Sequence, residues 1–317
     1  MICHICNSQR ISKTLSVREM MLGLREEFEY FLCTDCGCLQ ISSIPQNIER
    51  YYPADYISFK HPLEPTNYVR KWFSRKRFTY MFFRHNLIGA LIFFLFPSDV
   101  LPYGELLNLN FNMDILDVGY GDGFLLNLMA REGFKNLTGI DKFMNAPAKN
   151  GIKFIKGELN DLNGSLFDVI MFHHSLEHMP DQHSIFEQLK SLLKSDGKII
   201  IRIPIIGYAF NLFRENWVQL DAPRHFYLHT VKSLQTLAER HGFSVDNIIF
   251  DSSYFQFTGS IKYSKDIPLI EPFTFSTREI AAYSNRARRL NKEHQGDSAC
   301  FILSVTNPLS PLRRTRV

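Results

Sequence analysis

The chain has 317 residues, of which 45% are hydrophobic and 21% are charged, a balance typical of a protein with a buried core. That length is enough for one large domain and a smaller one. The formal net charge is only +4 and the basic residues are spread along the chain, which disfavours a dedicated nucleic-acid binder.

Paired cysteines dominate residues 1–48, which hold five of the six cysteines. Two Cys-x-x-Cys pairs stand out, Cys3 with Cys6 and Cys33 with Cys36. Two such pairs can complete a tetrahedral shell of four sulfurs around Zn²⁺, which leaves no open position and makes the ion structural. A redox-active pair or simply buried thiols would not explain two matched pairs. We therefore predict a zinc-binding ribbon over residues 1–48.

The N-terminus lacks the charged start and the long apolar segment of a signal peptide. In a reducing compartment, paired cysteines bind metal or do redox work more often than they form structural disulfides. We therefore expect a cytoplasmic protein, and the sequence makes no prediction of its oligomeric state.

Residues 49–108 are basic, aromatic and punctuated by prolines, with helical patterning between the prolines. They predict a helical cap or linker. Residues 87–96 (LIGALIFFLF) are almost wholly apolar, but a helix needs about 20 apolar residues to cross a bilayer. One interpretation is a helix that packs on the next domain. The other is a peripheral contact with a membrane surface, at its inner face, because basic residues precede the apolar run. These are Arg70, Lys71, Arg75, Lys76, Arg77 and Arg84.

Residues 109–308 alternate short apolar strands with helical stretches, which indicates an α/β fold with a mostly parallel, doubly wound, Rossmann-like sheet of seven strands. Residues 309–317 are predicted to be a tail. The predicted strands cover residues 114–118, 137–140, 153–155, 167–172, 198–203, 245–250 and 300–306. The predicted helices cover residues 124–132, 181–194 and 230–241, and Gly133, Gly197 and Gly242 are expected to end them.

A glycine-rich loop, ILDVGYGDG at residues 115–123, follows the first of these strands. Gly119, Gly121 and Gly123 alternate before a helix begins. This spacing suits a sharp turn at which a ligand touches the backbone and the helix N-terminus. It is not the dinucleotide pattern, which would need glycine at Phe124.

Polar residues also follow the later strands. Asp141 ends the second strand, where a carboxylate can accept hydrogen bonds from ribose hydroxyls, and Glu158 follows the third. The fourth strand runs into His173 and the segment His174-Ser175-Leu176-Glu177-His178. Ligands of open α/β sheets lie at the carboxyl ends of the strands, where all these residues fall.

This order of segments resembles the class I S-adenosylmethionine-dependent methyltransferases. The resemblance implies that Asp117 and the glycine loop hold the methionine part of S-adenosylmethionine. It implies that Asp141 holds the ribose and that the region of Glu158 faces the adenine. The predicted cofactor site also includes the neighbouring residues Tyr120, Lys142, Leu159 and His173.

Residues 174–178 also match the His-x-x-Glu-His motif of zinc proteases. That motif needs a continuous helix, whereas this segment leaves a buried strand and soon meets Pro180. The sequence therefore disfavours a protease.

Cysteine pairs ahead of a methyltransferase domain are similar to the nucleotide-sugar C-methyltransferases and to related polysaccharide-associated methyltransferases. Those enzymes have a Glu-His pair followed by Tyr, and here Arg224, His225 and Tyr227 stand in the corresponding place. His225 is the first choice of general base, since an imidazole accepts a proton near neutral pH. His178, His174 and Tyr227 are further catalytic candidates, and Arg224 suits a phosphate or carboxylate on the acceptor.

The leading prediction is O- or C-methylation of a small-molecule or glycan acceptor, such as a sugar precursor. A second is methylation of a lipid-linked or quinone-like acceptor, which residues 87–96 would favour. A third, of another class, is a binding protein whose zinc module recruits a partner and whose methyltransferase fold is degenerate. Nucleic-acid methylation ranks last, because few basic residues flank the cysteines.

Overall fold

A computed structural model of the chain describes residues 1–53, 68–83, 87–95, 107, 109–144, 151–162 and 164–306. The predicted tail and residues 54–67, 84–86, 96–106 and 108 of the predicted cap lie outside the described residues. The chain forms two compact units. Unit 1 comprises Met1–Pro53, Phe172–Lys190 and Ile199–Val317, and unit 2 comprises Ala54–Met171 and Ser191–Lys198. The domain boundaries drawn from the sequence stay predictions.

The strands of the described residues are, in chain order, β1 (Ile11–Arg18), β2 (Glu27–Cys33), β3 (Leu39–Ile41), β4 (Asp114–Val118), β5 (Asn136–Asp141), β6 (Lys153–Lys156), β7 (Phe167–His173), β8 (Leu193–Pro204), β9 (Tyr227–Leu228), β10 (Phe243–Phe250) and β11 (Ser298–Val305). The helices are α1 (Tyr68–Phe83), α2 (Leu87–Leu95), α3 (Phe124–Glu132), α4 (Gln182–Leu192), α5 (Tyr208–Phe213), α6 (Val231–Arg240), α7 (Phe255–Ser264) and α8 (Thr277–Lys292).

The larger sheet has the seven strands predicted from the sequence, in the order β10-β11-β8-β7-β4-β5-β6. Strand β4 pairs in parallel with β5 and with β7, and β5 pairs in parallel with β6. Strand β11 is antiparallel to both β8 and β10. The predicted Rossmann-like α/β fold is therefore confirmed.

The central strands β4 and β7 are mostly apolar because both faces of a parallel sheet are covered. Ile115 and Leu116 on β4 and Ile170 on β7 are fully buried. Helix α3 spans the predicted residues and ends at Gly133, whose φ of 115° favours glycine. The carboxyl ends of β4 and β5 hold the glycine loop and Asp141.

Unit 1 contains the cysteine-rich segment. Its small antiparallel sheet has the order β1-β2-β3-β9, so a strand from residues 227–228 completes the sheet begun by the N-terminal segment. Further bonds tie the segment to α6. The Thr230 hydroxyl donates to the Cys36 carbonyl at 2.6 Å, and Arg240 donates to the Cys6 carbonyl at 2.7 Å. The sequence did not predict this pairing.

Two predicted elements need correction. Helix α4 ends at Leu192 and β8 begins at Leu193, so Gly197 lies inside a strand and does not end the helix as predicted. Leu193 is 7% exposed, and this burial favours its place in the sheet. Helices α5, α7 and α8 were not predicted.

Helices α1 and α2 pack closely in unit 2. A Cβ atom at Gly89 of α2 would lie 2.2 Å from the Lys76 carbonyl oxygen of α1, so only glycine fits there. The outer side of α2 is apolar and exposed, with Leu87 at 90% and Phe94 at 76% exposure. Among the described residues, no helix combines the length and the apolar character needed to cross a membrane.

Candidate active site

The glycine loop has the backbone that its sequence predicts. Gly119, Gly121 and Gly123 have φ values of 77°, 56° and 75°. Side chains other than glycine rarely adopt this region, so the loop needs glycine at each position. The loop joins β4 to the first residue of α3, whose N-terminal amides suit a negatively charged group.

Asp117 lies near the end of β4 and is 3% exposed. Its Oδ1 atom has no hydrogen-bond partner. Burial, assisted by the charge of Asp141, raises the pKa of this carboxyl to about 7. A buried acceptor without a donor fits a ligand that brings one, such as the amino group of S-adenosylmethionine.

Asp141, at the end of β5, organises the loop. One carboxylate oxygen accepts a hydrogen bond from the Gly121 amide at 3.2 Å. The other accepts from the amides of Phe143 and Met144 at 2.8 and 3.0 Å. The residue predicted to hold the ribose therefore also fixes the glycine loop in place, which the sequence had not indicated.

The other predicted cofactor residues of unit 2 surround this loop. Tyr120 is 5% exposed, and its ring packs against that of Phe154 in a tilted arrangement with ring centroids 4.8 Å apart. Lys142 pairs with Glu158 at 2.8 Å on the surface. Leu159 is buried in a short helical turn after Glu158. The structure thus brings Lys142 and Glu158 together.

The four cysteines predicted to bind zinc converge in unit 1. Their sulfur atoms all lie within 4.8 Å of one another, with Cys3 3.6 Å from Cys36 and Cys6 3.5 Å from Cys33. Sulfur atoms at tetrahedral corners about 2.3 Å from zinc are about 3.8 Å apart, so the cluster fits a zinc ion. Gln40 donates a hydrogen bond to the Cys3 sulfur at 2.9 Å, as a bound thiolate would favour.

His178 and His225, both predicted as catalytic, lie side by side in unit 1, with ring centroids 4.7 Å apart. His178 Nδ1 is 2.9 Å from the Arg224 carbonyl oxygen, and His225 Nδ1 is 2.7 Å from the Gln219 carbonyl oxygen. A carbonyl only accepts, so each Nδ1 carries the proton when the ring is neutral. Each Nε2 then has a lone pair. Burial lowers the pKa of His178 to about 4, which keeps that ring neutral.

Glu177, which the sequence did not assign to a site, completes this cluster. Its side chain is fully buried, and neither carboxylate oxygen has a hydrogen-bond partner. His174 Nδ1 lies 3.4 Å from one of them. Burial disfavours the charged form, but the neighbouring histidines His174, His178 and His225 lower the pKa of Glu177 to about 2. The carboxylate of Glu177 therefore lies close to both imidazole rings.

Arg224 does not take the role expected for it. The side chain is fully buried and makes ion pairs with Asp221 at 2.6 Å and Glu19 at 2.8 Å. It also donates to the Tyr51 carbonyl at 3.1 Å. A guanidinium enclosed in this way is not open to an anionic acceptor, so Arg224 braces the segment that carries His225.

The remaining predicted residues of unit 1 differ in accessibility. The Tyr227 hydroxyl donates to the Pro180 carbonyl at 2.7 Å, and the ring is 6% exposed. The His174 side chain is 38% exposed and contacts Arg202. His173 Nε2 has no hydrogen-bond partner, and burial lowers the pKa of this ring to about 3. The candidate residues that lie close together are therefore His178 and His225, with Glu177 beside them.

Comparison with known proteins agrees with this geometry. A family model described as a methyltransferase domain matches residues 56–248. Ubiquinone biosynthesis O-methyltransferase of Actinobacillus pleuropneumoniae is 35% identical over 103 residues, covering 27% of this chain and 44% of the relative. The enzyme of the same name from Haemophilus ducreyi is 34% identical over 107 residues, covering 29% of the chain and 45% of the relative. The chain thus spans less than half the length of these relatives.

The chain also matches solved structures at low sequence identity. An S-adenosylmethionine-dependent methyltransferase from Archaeoglobus fulgidus is 20% identical with a TM-score of 0.41, and the match covers 72% of this chain and 98% of that one. An O-methyltransferase of Brevibacillus brevis, solved with S-adenosylhomocysteine, is 17% identical with a TM-score of 0.40, covering 61% of this chain and 67% of that one.

The strand order, the positive-φ glycine loop and the carboxylates after β4 and β5 define the class as an S-adenosylmethionine-dependent methyltransferase fold. The family match covers more than half of the sequence. The chain therefore belongs to the methyltransferase domain family, as its motifs predicted.

Proposed function

We propose that the protein transfers the methyl group of S-adenosylmethionine to a hydroxyl group of a lipid-linked or quinone-like acceptor. The observation that carries this proposal is the Glu177–His178–His225 cluster, in which a buried carboxylate lies close to two imidazole rings. Such a cluster suits removal of a proton from a hydroxyl. The names of the relatives, which are O-methyltransferases of ubiquinone biosynthesis, support the same acceptor class.

The cofactor supplies a methyl group on a positively charged sulfur. Asp117 would bind its amino group, the amides of the glycine loop would approach its carboxylate, and Asp141 would bind its ribose. In the transfer, the acceptor oxygen bonds to the methyl carbon, the carbon–sulfur bond breaks and its electron pair stays on sulfur. The hydroxyl proton is taken up by a base, for which His178 and His225 are the candidates.

The exposed face of α2 supports an apolar or membrane-bound acceptor. Leu91 is 62% exposed and Phe94 is 76% exposed, and α1 beside them has basic residues but no acidic one. A face of this kind suits the surface of an anionic bilayer, where a lipid-linked acceptor would be found.

A sugar or glycan precursor is the second candidate acceptor. The four-cysteine cluster ahead of the methyltransferase domain favours it, through the similarity to the sugar enzymes. We also propose that this cluster holds a structural zinc ion. The alternative of a degenerate fold is disfavoured by the intact loop geometry and by the unpaired Oδ1 of Asp117.

Transfer of labelled methyl into an extract of the source cells tests the acceptor class. The label is partitioned between organic and aqueous phases, and a protein with both Asp117→Asn and Asp141→Ala serves as the blank. We expect enzyme-dependent label in the organic phase. Label confined to small water-soluble molecules would refute the lipid-linked acceptor and support the sugar precursor.

A further inference from the structure

We propose that Glu177, His178 and His225 form a binding site for a divalent transition-metal ion. This inference rests on the proposed methyl transfer and replaces direct proton uptake by His225 within it. One ligand atom from each side chain lies within 4.8 Å of the others. Ligand atoms about 2.1 Å from a shared ion lie about 3 Å apart or a little more. Shifts of about 1 Å in the ligand atoms would therefore let all three side chains coordinate one ion.

The hydrogen bonds around the two histidines favour metal binding. Each ring donates Nδ1–H to a backbone carbonyl, which fixes its orientation and leaves Nε2 as the ligand atom. The Tyr52 hydroxyl lies 3.0 Å from His178 Nδ1 and further restrains that ring.

The charges buried in this part of unit 1 also favour a cation. Three carboxylates are buried, those of Glu19, Asp221 and Glu177. The guanidinium of Arg224 pairs with the first two. Neither oxygen of Glu177 receives a hydrogen bond, and an ionised carboxylate in such a place is costly unless a cation meets it. The partly exposed His174, at 3.4 Å, is the competing partner.

The donor set indicates the class of metal. Two imidazoles and one carboxylate suit iron(II), manganese(II) or zinc, and they leave open positions in the coordination shell. A cation there would lower the pKa of a hydroxyl held beside it, and the proton would then pass to bulk water. This role and the role of His225 as a free base exclude each other, because both use the Nε2 lone pair.

Binding of Mn²⁺ to the full-length protein tests the site without any methyl transfer. Electron paramagnetic resonance measures free Mn²⁺ during titration of protein whose zinc content has been determined. We expect about one Mn²⁺ per chain. Glu177→Gln and His225→Gln should each weaken binding by a factor of about 100, because each removes a ligand. The matched variants Glu187→Gln and His294→Gln, at exposed positions, should bind as the wild type does.

Circular dichroism and zinc content of each variant show whether it folds. A wild type that binds no Mn²⁺ at about 1 mM, and no Fe²⁺ or second Zn²⁺, overturns the metal site. So does equal binding by the wild type and a folded Glu177→Gln variant. If that protein still transfers methyl after treatment with a chelator, the proposed function stands without the metal. Metal binding without methyl transfer to any extract component would instead refute the proposed function.

Discussion

Replacing Asp117 with asparagine should change how the stability of the protein depends on pH. The carboxyl of Asp117 has a pKa of about 7 in the folded protein because it is buried near Asp141. An aspartate in an unfolded chain has a pKa of about 3.9. Between these values the folded state holds a proton that the unfolded state has released. Unfolding therefore releases a proton, and the free energy of unfolding falls as the pH rises.

The expected loss in the free energy of unfolding follows from the width of the pH interval. Each pH unit between the two pKa values contributes about 1.4 kcal/mol. From about pH 5.5 to about pH 7, the wild type should lose about 1.6 kcal/mol relative to Asp117→Asn, which has no proton to release. This window avoids more acidic conditions, in which protonated cysteines would lose zinc.

Urea unfolding of both proteins at several pH values measures this difference. Asp196→Asn, which alters an exposed carboxyl, is the control and should follow the wild type. A difference between wild type and Asp117→Asn that stays constant within about 0.5 kcal/mol across the window would refute the buried-carboxyl account.

Three further changes test other parts of the molecule. Asp141→Ala removes the proposed acceptor for the ribose hydroxyls and the acceptor for the Gly121 amide. S-adenosylmethionine should therefore raise the melting temperature of this variant less than it raises that of the control Asp196→Ala. Equal increases in the two variants would contradict the ribose assignment. Metal analysis of the wild type should find about one zinc ion per chain, and Cys33→Ser should contain none. A folded wild type without zinc would refute the predicted zinc-binding ribbon. Phe94→Glu should reduce sedimentation of the protein with anionic lipid vesicles. The control Leu212→Glu, at another exposed apolar position, should sediment as the wild type does. A wild type that does not sediment with the vesicles would refute membrane contact.

The sequence predicted the conformation of the glycine loop well because its determinants are local. The apolar run of β4, the alternating glycines and the start of α3 all lie within residues 114–124, and each follows from the conformational preferences of its own residues. The position of Asp141 at the end of the next parallel strand was also predictable, because the apolar run before it is local. Helix α8 was missed although Ser276 and Glu279 form a capping box, a local signal that the sequence already contained.

Contacts between distant parts of the chain were not predictable in this way. His178 and His225 were both candidate bases, but nothing in the sequence indicates that they lie side by side or that Glu177 is buried with them. Arg224 looked available to an acceptor, and its partner Glu19 lies 205 positions away in the sequence. The pairing of β9 with β3 likewise joins segments that only the folded chain brings together.

Calorimetric titration of the protein with S-adenosylhomocysteine, the product of methyl transfer, tests the central claim most directly. The account predicts one binding site per chain in the wild type, competition with S-adenosylmethionine, and loss of binding when Asp117→Asn and Asp141→Ala are combined. A folded wild type that binds neither compound at about 1 mM would contradict the assignment of the glycine loop and both carboxylates as a methyltransferase cofactor site.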